Sequence, residues 1–171
     1  MRFRLATEAD ALPITALWFR TRRLAYEHFF PPGYFDSSTV DDYIEAWTAR
    51  VTTNASDGVR TYVSEDEDVL TAFTHCGLHE GLEPGCGEIE FFYVAPERHG
   101  SGLADALMHH AVESMRAQGC VTAVLWVFEA NERARRLYRS SGFEEVGRRR
   151  RYYRRPVEDA IVLRRTMKKD V

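Results

Sequence analysis

Cysteine is scarce in this sequence, and the three cysteines present, Cys76, Cys86 and Cys120, are an odd number. Domains that rely on disulfides carry more cysteines in even numbers, so the sequence predicts a reducing compartment, the cytoplasm. The first ten residues include four charged side chains and no apolar core, which predicts that they are not a secretory signal. Apolar runs of the roughly 20 residues that span a bilayer are also missing, so no membrane helix is expected.

An excess of positive charge is absent as well. Lys and Arg number 23 and Asp and Glu number 26, which gives a net charge of -3. A dedicated nucleic-acid-binding domain normally has a positive field, so this class is disfavoured. Hydrophobic residues make up 44% and charged residues 29% of the chain, values near the globular average that exclude disordered and collagen-like chains. The length of 171 residues predicts one folded domain, residues 1–171.

Two kinds of hydrophobic periodicity divide the chain into helices and strands. Apolar residues at helical spacing predict helices over residues 9–28, 39–51, 102–118 and 131–140. Apolar runs bounded by turn residues predict strands over residues 3–6, 59–64, 70–78, 88–94, 121–128, 143–153 and 160–167. Alternation in the fourth of these strands predicts one face formed by Glu88, Glu90, Phe92 and Val94. The order of elements predicts an α/β fold around a mixed sheet.

A glycine-rich turn lies between the strand that ends at Val94 and the helix that begins at Gly102. Gly100 and Gly102 remove side chains there, so backbone N–H groups can converge on an anion at the positive end of the helix. Asp105 stands where a Rossmann fingerprint needs a third small residue, and the Gly-Lys-Ser/Thr of a P-loop is missing. A pyrophosphate would fit this turn, and a glycine turn without a ligand is the alternative.

A second informative segment covers residues 131–143 and reads NERARRLYRSSGF. Asn131 is placed to cap a helix, and the residues that share one face of that helix are Ala134, Leu137, Tyr138 and Ser141. Tyr138 therefore points inward near the helix end. A core tyrosine whose hydroxyl is bonded by a neighbour is the alternative interpretation.

Together these segments resemble the GNAT superfamily of acetyl-coenzyme A dependent N-acetyltransferases. The family pattern is Gln/Arg-x-x-Gly-x-Gly/Ala at the start of a helix and, after a strand, Asn-x-x-Ala-x-x-Leu-Tyr-x-x-x-Gly-Phe. The first part departs from the pattern at His99, where Arg or Gln is usual, and continues with Gly100, Ser101, Gly102, Leu103 and Ala104. The second part matches throughout, at Asn131, Ala134, Leu137, Tyr138, Gly142 and Phe143. The resemblance implies a single-domain GNAT-like fold with a mixed, mostly antiparallel twisted sheet flanked by about four helices.

The resemblance also implies where the co-substrate, acetyl-CoA, would bind. The backbone of residues 98–104 would hold its pyrophosphate, the strand over residues 92–94 would hydrogen-bond the pantetheine amides, and Asn131 would contact the pantetheine arm. The implied cofactor-binding residues are Phe92, Tyr93, Val94, Arg98, His99, Gly100, Ser101, Gly102, Leu103, Ala104 and Asn131.

Two catalytic roles follow from the same resemblance. Tyr138 falls where family members place the acid that protonates the departing thiolate, and Glu88 falls where the histone-modifying members place a general base. An alkylammonium with a pKa near about 10 must lose a proton before it can attack a thioester, and a carboxylate with a raised pKa can take that proton. Glu90 is the substitute base, and a solvated strand face is the alternative for both carboxylates.

The acceptor is implied to be a primary amine. In this family its site is built by the loop between the first two helices and by the last hairpin, here residues 28–40 and 150–160. These segments are aromatic, with Phe29, Phe30, Tyr34, Phe35, Tyr152 and Tyr153, which predicts an apolar pocket for a small amine. A homodimer is expected from the resemblance and from the late strands, which could pair across a two-fold axis.

Other functions remain as alternatives. A catalytically silent CoA-binding or interaction module and a protein-amine acetyltransferase would have the same fold. The basic block formed by Arg148 to Arg151 with Arg154 and Arg155 could bind phosphate or a substrate carboxylate, or lie on a solvated ribbon. An RNA-binding role for it is disfavoured by the net charge. A metal site is not expected, because His75, Cys76, His79 and Cys86 lack the usual zinc spacing.

Overall fold

The computed structural model describes residues 1–53, 58–79, 81–153 and 158–167, with only the backbone described over 148–153 and 158–159. The helices are α1 (Ala11–Tyr26), α2 (Asp41–Thr52), α3 (Leu103–Ala117) and α4 (Glu132–Ser140). The strands are β1 (Arg4–Leu5), β2 (Val59–Asp66), β3 (Val69–Leu78), β4 (Cys86–Val94), β5 (Thr122–Phe128), β6 (Glu144–Tyr153) and β7 (Glu158–Thr166). The side chains of the basic block, Arg148 to Arg151, Arg154 and Arg155, lie outside the described part of the chain.

The strands form one seven-stranded sheet in the order β1-β2-β3-β4-β5-β7-β6. Each pair of neighbours is antiparallel except β4 and β5, which are parallel. The predicted α/β architecture, a mixed and mostly antiparallel sheet flanked by four helices, is confirmed. Across the described ranges, no helix combines the length and the apolar character needed to cross a bilayer.

The helices bury apolar side chains on both faces of the sheet. On one face α1 and α2 pack on the central strands, as in the edge-to-face contact of Trp47 with Phe73, whose ring centroids are 5.1 Å apart. On the other face α3 supplies Met108 and Met115, which pack with Leu125 of β5. Burial of such side chains is worth roughly 1.5 to 3 kcal/mol each, so both helix layers hold the sheet in place.

The two parallel strands separate along their length. Residues Cys86–Ile89 of β4 pair with Thr122–Leu125 of β5, and the pairing described for these strands stops there. Both strands continue beyond this point, β4 to Val94 and β5 to Phe128. Backbone groups on this side of the second half of β4 therefore face the gap between the strands, and the gap opens the candidate site.

A β-bulge at Glu90 corrects the predicted alternation of β4. Across the ladder His75 pairs with Phe91 while the next residue, Cys76, pairs with Ile89, so Glu90 is the extra residue. Ile89 and Phe92 consequently pack on the same side of the sheet. The prediction that residues 88, 90, 92 and 94 share one face is wrong, because the bulge shifts the alternation by one residue.

Candidate functional site

A wide cleft of about 750 Å³ lies between the separated ends of β4 and β5. Its walls come from these strands, from the last turns of α1 and from α4. The predicted site residues that line it are Phe92, Tyr93, Val94, His99, Ala104, Asn131 and Tyr138. This volume is within the usual range for a site that holds a cofactor or a drug-sized ligand.

The glycine turn lies beside the wide cleft, between two of its lining residues, His99 and Ala104. Gly100 and Gly102 have φ angles of 79° and 80°, the left-handed region that favours glycine, and a Cβ at either position would contact nothing within 4 Å. Among the described residues, the N–H groups of Gly100, Gly102 and Ala104 have no backbone acceptor. Open space before unpaired N–H groups at the start of α3 is the arrangement that binds an anion.

The other residues predicted at this turn have structural contacts of their own. Arg98, Gly100, Ser101, Gly102 and Leu103 are not part of the cleft wall. The last four lie between His99 and Ala104, which do line the cleft, and Arg98 precedes His99. The guanidinium of Arg98 pairs with Asp66, and the Ser101 hydroxyl donates to the Arg98 carbonyl at 2.6 Å. These contacts hold the turn in place, and the groups of the turn that remain available to bind an anion are its backbone N–H groups.

His99 replaces the family's Arg or Gln and is bonded to the strand. Its Nε2 lies 3.2 Å from the carbonyl oxygen of Val94, the last residue of β4. Burial lowers the pKa of His99, and the positive charge of Arg133 lowers it further. Arg133 also lines the wide cleft and was not predicted as a site residue. It places a cation near the glycine turn, where a phosphate would benefit from it.

Asn131 joins α4 to the end of α1. Its Oδ1 accepts from the N–H of Ala134 at 3.1 Å, which caps α4, and its Nδ2 donates to the Tyr26 hydroxyl at 3.1 Å. The Tyr26 ring also packs edge to face on Phe128 of β5. Tyr26 therefore connects both walls of the cleft, and it was not among the predicted site residues.

Tyr138 lies on α4 with 8% of its surface exposed, between Phe92 and Phe143. Burial raises the pKa of its phenol, and nearby Tyr26 adds to that rise, so the hydroxyl is protonated at neutral pH. Among the described residues, no acceptor for this hydroxyl is identified. A protonated phenol in the cleft wall is able to donate a hydrogen bond to a ligand.

A narrow cleft of about 360 Å³ adjoins the wide one. Its walls come from α1, α2 and the sheet, and the residues that line both clefts are Tyr26, Glu90, Tyr93, Trp126 and Val127. The residues that line only the narrow cleft are Trp18, Arg22, Tyr43, Phe91, Phe128 and Ala160. The site thus has two compartments that meet at the separation of β4 and β5.

The two candidate bases differ in position. Glu90 lines both clefts with 43% of its side chain exposed, and Glu88 is part of neither lining. The Glu88 side chain is 17% exposed, and burial raises its pKa; nearby His79 opposes the rise and the charge of Glu90 adds to it. Glu88 has the raised pKa expected of a general base, whereas Glu90 lines both clefts.

Glu90 is flanked by a cation and a buried histidine. Its Oε1 is 3.9 Å from Nη2 of Arg50, whose guanidinium lies over the rings of Trp47 and Phe91. Its Oε2 is 3.8 Å from Nε2 of His75, and the Nδ1 of this histidine is 2.8 Å from the Thr61 hydroxyl. Burial and the charge of Arg50 lower the pKa of His75 to about 4, so His75 is neutral at physiological pH.

Acid is expected to destabilise the fold through His75. Its pKa is about 4 in the folded chain and about 6.5 in an ordinary, solvated imidazole, so the unfolded chain binds the proton first as the pH falls below 6.5. Stability should drop between pH 6.5 and 4 by on the order of 3 kcal/mol from this group. Urea unfolding should show a shallower drop for His75→Gln. Parallel pH profiles for the two proteins would contradict this expectation.

The walls of the narrow cleft differ from the predicted acceptor pocket. Phe30 and Phe35 are buried against Tyr34, and none of the three lines either cleft. Of the predicted aromatic residues with described side chains, Phe29 alone lines a cleft, the wide one. The side chains of Tyr152 and Tyr153 lie outside the described part.

Three residues of α1 instead reach the narrow cleft: Trp18, Arg22 and Tyr26. They are four residues apart and so share a helix face. That spacing was a usable signal in the sequence. The apolar periodicity of this segment predicted the helix and not which of its faces lines the site.

Comparison with known proteins identifies the family. The model of the acetyltransferase (GNAT) family matches residues 18–143. Mycothiol acetyltransferase of Thermobispora bispora is 35% identical over 85 residues, which are 48% of this chain and 29% of that protein. The chain thus matches less than a third of the length of this relative.

Two solved structures have the same fold over nearly the whole chain. The PaiA N-acetyltransferase of Thermoplasma acidophilum, in complex with coenzyme A, superposes with a TM-score of 0.79 at 14% identity and covers 97% of this chain and 98% of its own. Ribosomal-protein-alanine N-acetyltransferase of Brucella melitensis gives 0.76 at 21% identity, with 98% and 100% covered. Because the family model spans both motifs and most of the sheet, this chain belongs to the GNAT family of acetyltransferases.

Proposed function

We propose that the chain transfers the acetyl group of acetyl-CoA to a primary amine of a small molecule, by direct attack in a ternary complex. The observation that carries this proposal is the junction of the two clefts, which share five of the described lining residues where β4 and β5 separate. A thioester in the wide cleft and an amine in the narrow cleft would meet there. Direct attack needs such a meeting point, because both reactants must be held in contact.

Acetyl-CoA is assigned to the wide cleft. Its pyrophosphate would accept hydrogen bonds from the N–H groups of Gly100, Gly102 and Ala104, next to the cation of Arg133. Its pantetheine amides would bond the free side of β4 between Glu90 and Val94. Structures of this fold hold coenzyme A or acetyl-CoA, which agrees with this assignment.

Glu90 is proposed as the proton acceptor, in place of Glu88. An alkylammonium with a pKa near about 10 is mostly protonated at pH 7, so a base must take its proton before attack. Glu90 reaches both compartments and solvent, so it can take the proton and release it to water. Glu88 lies two residues before Glu90 on β4 and lines neither cleft. It stays the second candidate, as a base that would act through a water molecule.

Tyr138 is proposed to stabilise the departing thiolate. Replacing Tyr138 by Phe removes one hydroxyl, and turnover is expected to fall while the acetyl-CoA-induced shift in melting temperature persists. The raised pKa makes full proton transfer to a moderately basic thiolate unfavourable, so the hydrogen bond itself is the expected contribution, about tenfold in rate. Steady-state rates with a competent amine measure it, and a wild-type rate in the variant would reject the role.

Two alternatives share this fold. One relative is named for mycothiol and one structural neighbour for a ribosomal protein. Both a small molecule and a protein are therefore represented as acceptors among these names. We favour a small molecule because the narrow cleft of 360 Å³ is at the lower end of the volumes of ligand sites.

Release of CoA that depends on an added amine, measured with a thiol reagent across an amine library, tests the function. A silent CoA-binding module would bind acetyl-CoA without amine-dependent release.

A homodimer stays a prediction, and one feature of the sheet favours it. Strand β6 is ten residues long and forms an edge of the sheet, where a second copy could add its own strand. Light scattering at micromolar concentration should give twice the monomer mass. A monomer at that concentration and above would end this proposal.

A further inference from the structure

The narrow cleft combines an aromatic wall with two opposite charges. Among the described residues, eleven line it: seven are aromatic, and the two charged ones are Arg22 of α1 and Glu90 of β4. A cleft of this kind recognises a ligand with an apolar body and two polar ends. Glu90 also faces the wide cleft, so the end of the ligand beside Glu90 is the one that would meet the thioester.

Arg22 differs from the neighbouring arginines of α1. Arg20 pairs with Glu97, and Arg23 pairs with Glu27 and Asp36. For Arg22 no carboxylate partner is found among the described residues. Its guanidinium instead lies 5.3 Å from the ring centroid of Trp18 and 5.2 Å from that of Phe35.

The Arg22 guanidinium lies over two rings, and among the described residues no acceptor for its N–H groups is identified. A carboxylate is the ligand group that fits them, since it accepts two parallel hydrogen bonds from the guanidinium fork. The aromatic surroundings also limit competition from water, which strengthens such a pair. Arg22 therefore offers its donors to an anionic group in the narrow cleft, which it lines.

We infer that the acceptor is a small amino acid with an apolar side chain, bound as a zwitterion. Its ammonium would lie at Glu90, its carboxylate at Arg22, and its side chain against the aromatic wall that includes Tyr43 and Phe91. This inference rests on the proposed function and specifies the substrate class of the same site. The chemistry remains that of the transfer: the amine loses a proton, its nitrogen forms an amide bond with the acetyl carbon, and CoA leaves as the thiol.

Matched pairs of substrates test the inference. Phenylalanine and phenethylamine, or leucine and isoamylamine, differ only by the carboxylate. The wild-type chain should acetylate the amino acid with kcat/KM at least about tenfold higher than the amine, as expected of a charge-assisted hydrogen bond. Arg22→Gln should lower kcat/KM for the amino acid by about tenfold to a hundredfold, chiefly through KM, and lower kcat/KM for the amine by a much smaller factor.

Two further variants separate recognition from folding. Arg22→Lys keeps the charge and loses the fork, so its kcat/KM for the amino acid should lie between wild type and Arg22→Gln. Arg20→Gln removes a cation from the same helix, and its ion pair with Glu97 lies outside the narrow cleft. This variant should leave kcat/KM unchanged for both substrates. Equal losses for both substrates in Arg22→Gln and Arg22→Lys would assign Arg22 a purely structural role and overturn the inference.

Other results would also overturn it. These are equal kcat/KM for the two members of each pair in the wild-type chain, a higher kcat/KM for a peptide amino terminus than for any amino acid, and no acetylation of either pair. The last result, obtained while another amine is acetylated, would reject the amino acid and keep the transferase. Failure of the proposed function looks different, because then no amine of any class would cause CoA release.

Discussion

Replacing Glu90 by Gln should lower the turnover of amine acetylation by a factor of about 10² to 10⁴, the usual contribution of a positioned general base. The amide cannot take a proton from the substrate ammonium, yet it preserves the size of the side chain. The loss should shrink as the pH rises toward the pKa of the amine, because more of the substrate is then already neutral. The measurement is kcat as a function of pH with one competent amine.

Glu88→Gln is the matched control for this experiment. Glu88 lines neither cleft, so its replacement should cost less than tenfold even though burial raises its pKa. Both variants should retain the thermal shift caused by acetyl-CoA, which separates chemistry from cofactor binding. A larger loss in Glu88→Gln than in Glu90→Gln would return the base to Glu88, with a water molecule as the relay.

Replacing Gly102 or Gly100 by Glu should abolish the rise in melting temperature that acetyl-CoA causes in the wild-type chain. A ligand that binds only the folded state stabilises it by mass action, so loss of binding removes the shift. A side chain at either position would project into open space in front of the turn, because its Cβ would contact nothing within 4 Å. The carboxylate would then occupy the place of the pyrophosphate and repel it.

Gly102→Ala and Gly100→Ala supply the control for strain. Both glycines have φ near 80°, so any side chain at these positions costs on the order of 1 to 3 kcal/mol. The melting temperature without ligand should therefore fall in the Ala and the Glu variants alike. Only the Glu variants should lose the acetyl-CoA shift. A shift that persists in both Glu variants would remove the glycine turn from the cofactor site.

Local signals in the sequence were sufficient for the elements that frame the site. The predicted helix over residues 102–118 corresponds to α3 at Leu103–Ala117, since glycines bound it at both ends. The predicted helix over residues 131–140 corresponds to α4, which Asn131 caps as expected. The start of α1 was less accurate: residues Glu8–Asp10 form a 3₁₀ turn, in which the Asp10 carboxylate accepts from the Thr7 N–H.

The geometry at the centre of the site was not accessible from the sequence. The bulge at Glu90 depends on how β4 aligns with β3, and the separation of β4 from β5 depends on where their pairing ends. Neither property can be predicted from the alternation of residue types along β4 alone. The sequence therefore predicted one face for residues 88, 90, 92 and 94 and did not show that, of the two carboxylates, Glu90 lines both clefts and Glu88 neither.

Two of the aromatic residues predicted to wall the acceptor pocket lie outside both clefts for a related reason. Aromatic residues in a loop suggest a pocket wall, but Phe30 and Phe35 satisfy their apolar surface by packing on Tyr34. Trp18 and Trp126 reach the narrow cleft from a helix and a strand, where an aromatic residue is more often part of the core. The tertiary structure decides whether an aromatic residue packs in the core or lines a cleft, and the composition of the segment does not.

The fate of a labelled acetyl group tests amine acetylation most directly. The chain is incubated with acetyl-CoA carrying an isotopic label in the acetyl group and with an amine that promotes CoA release, and the products are resolved by mass spectrometry. The label should appear in an amide of the amine, in an amount equal to the CoA released, and Glu90→Gln should slow both. Label found only in acetate, or acetyl-CoA that binds and stays intact with every amine, would contradict acetyl transfer by this site.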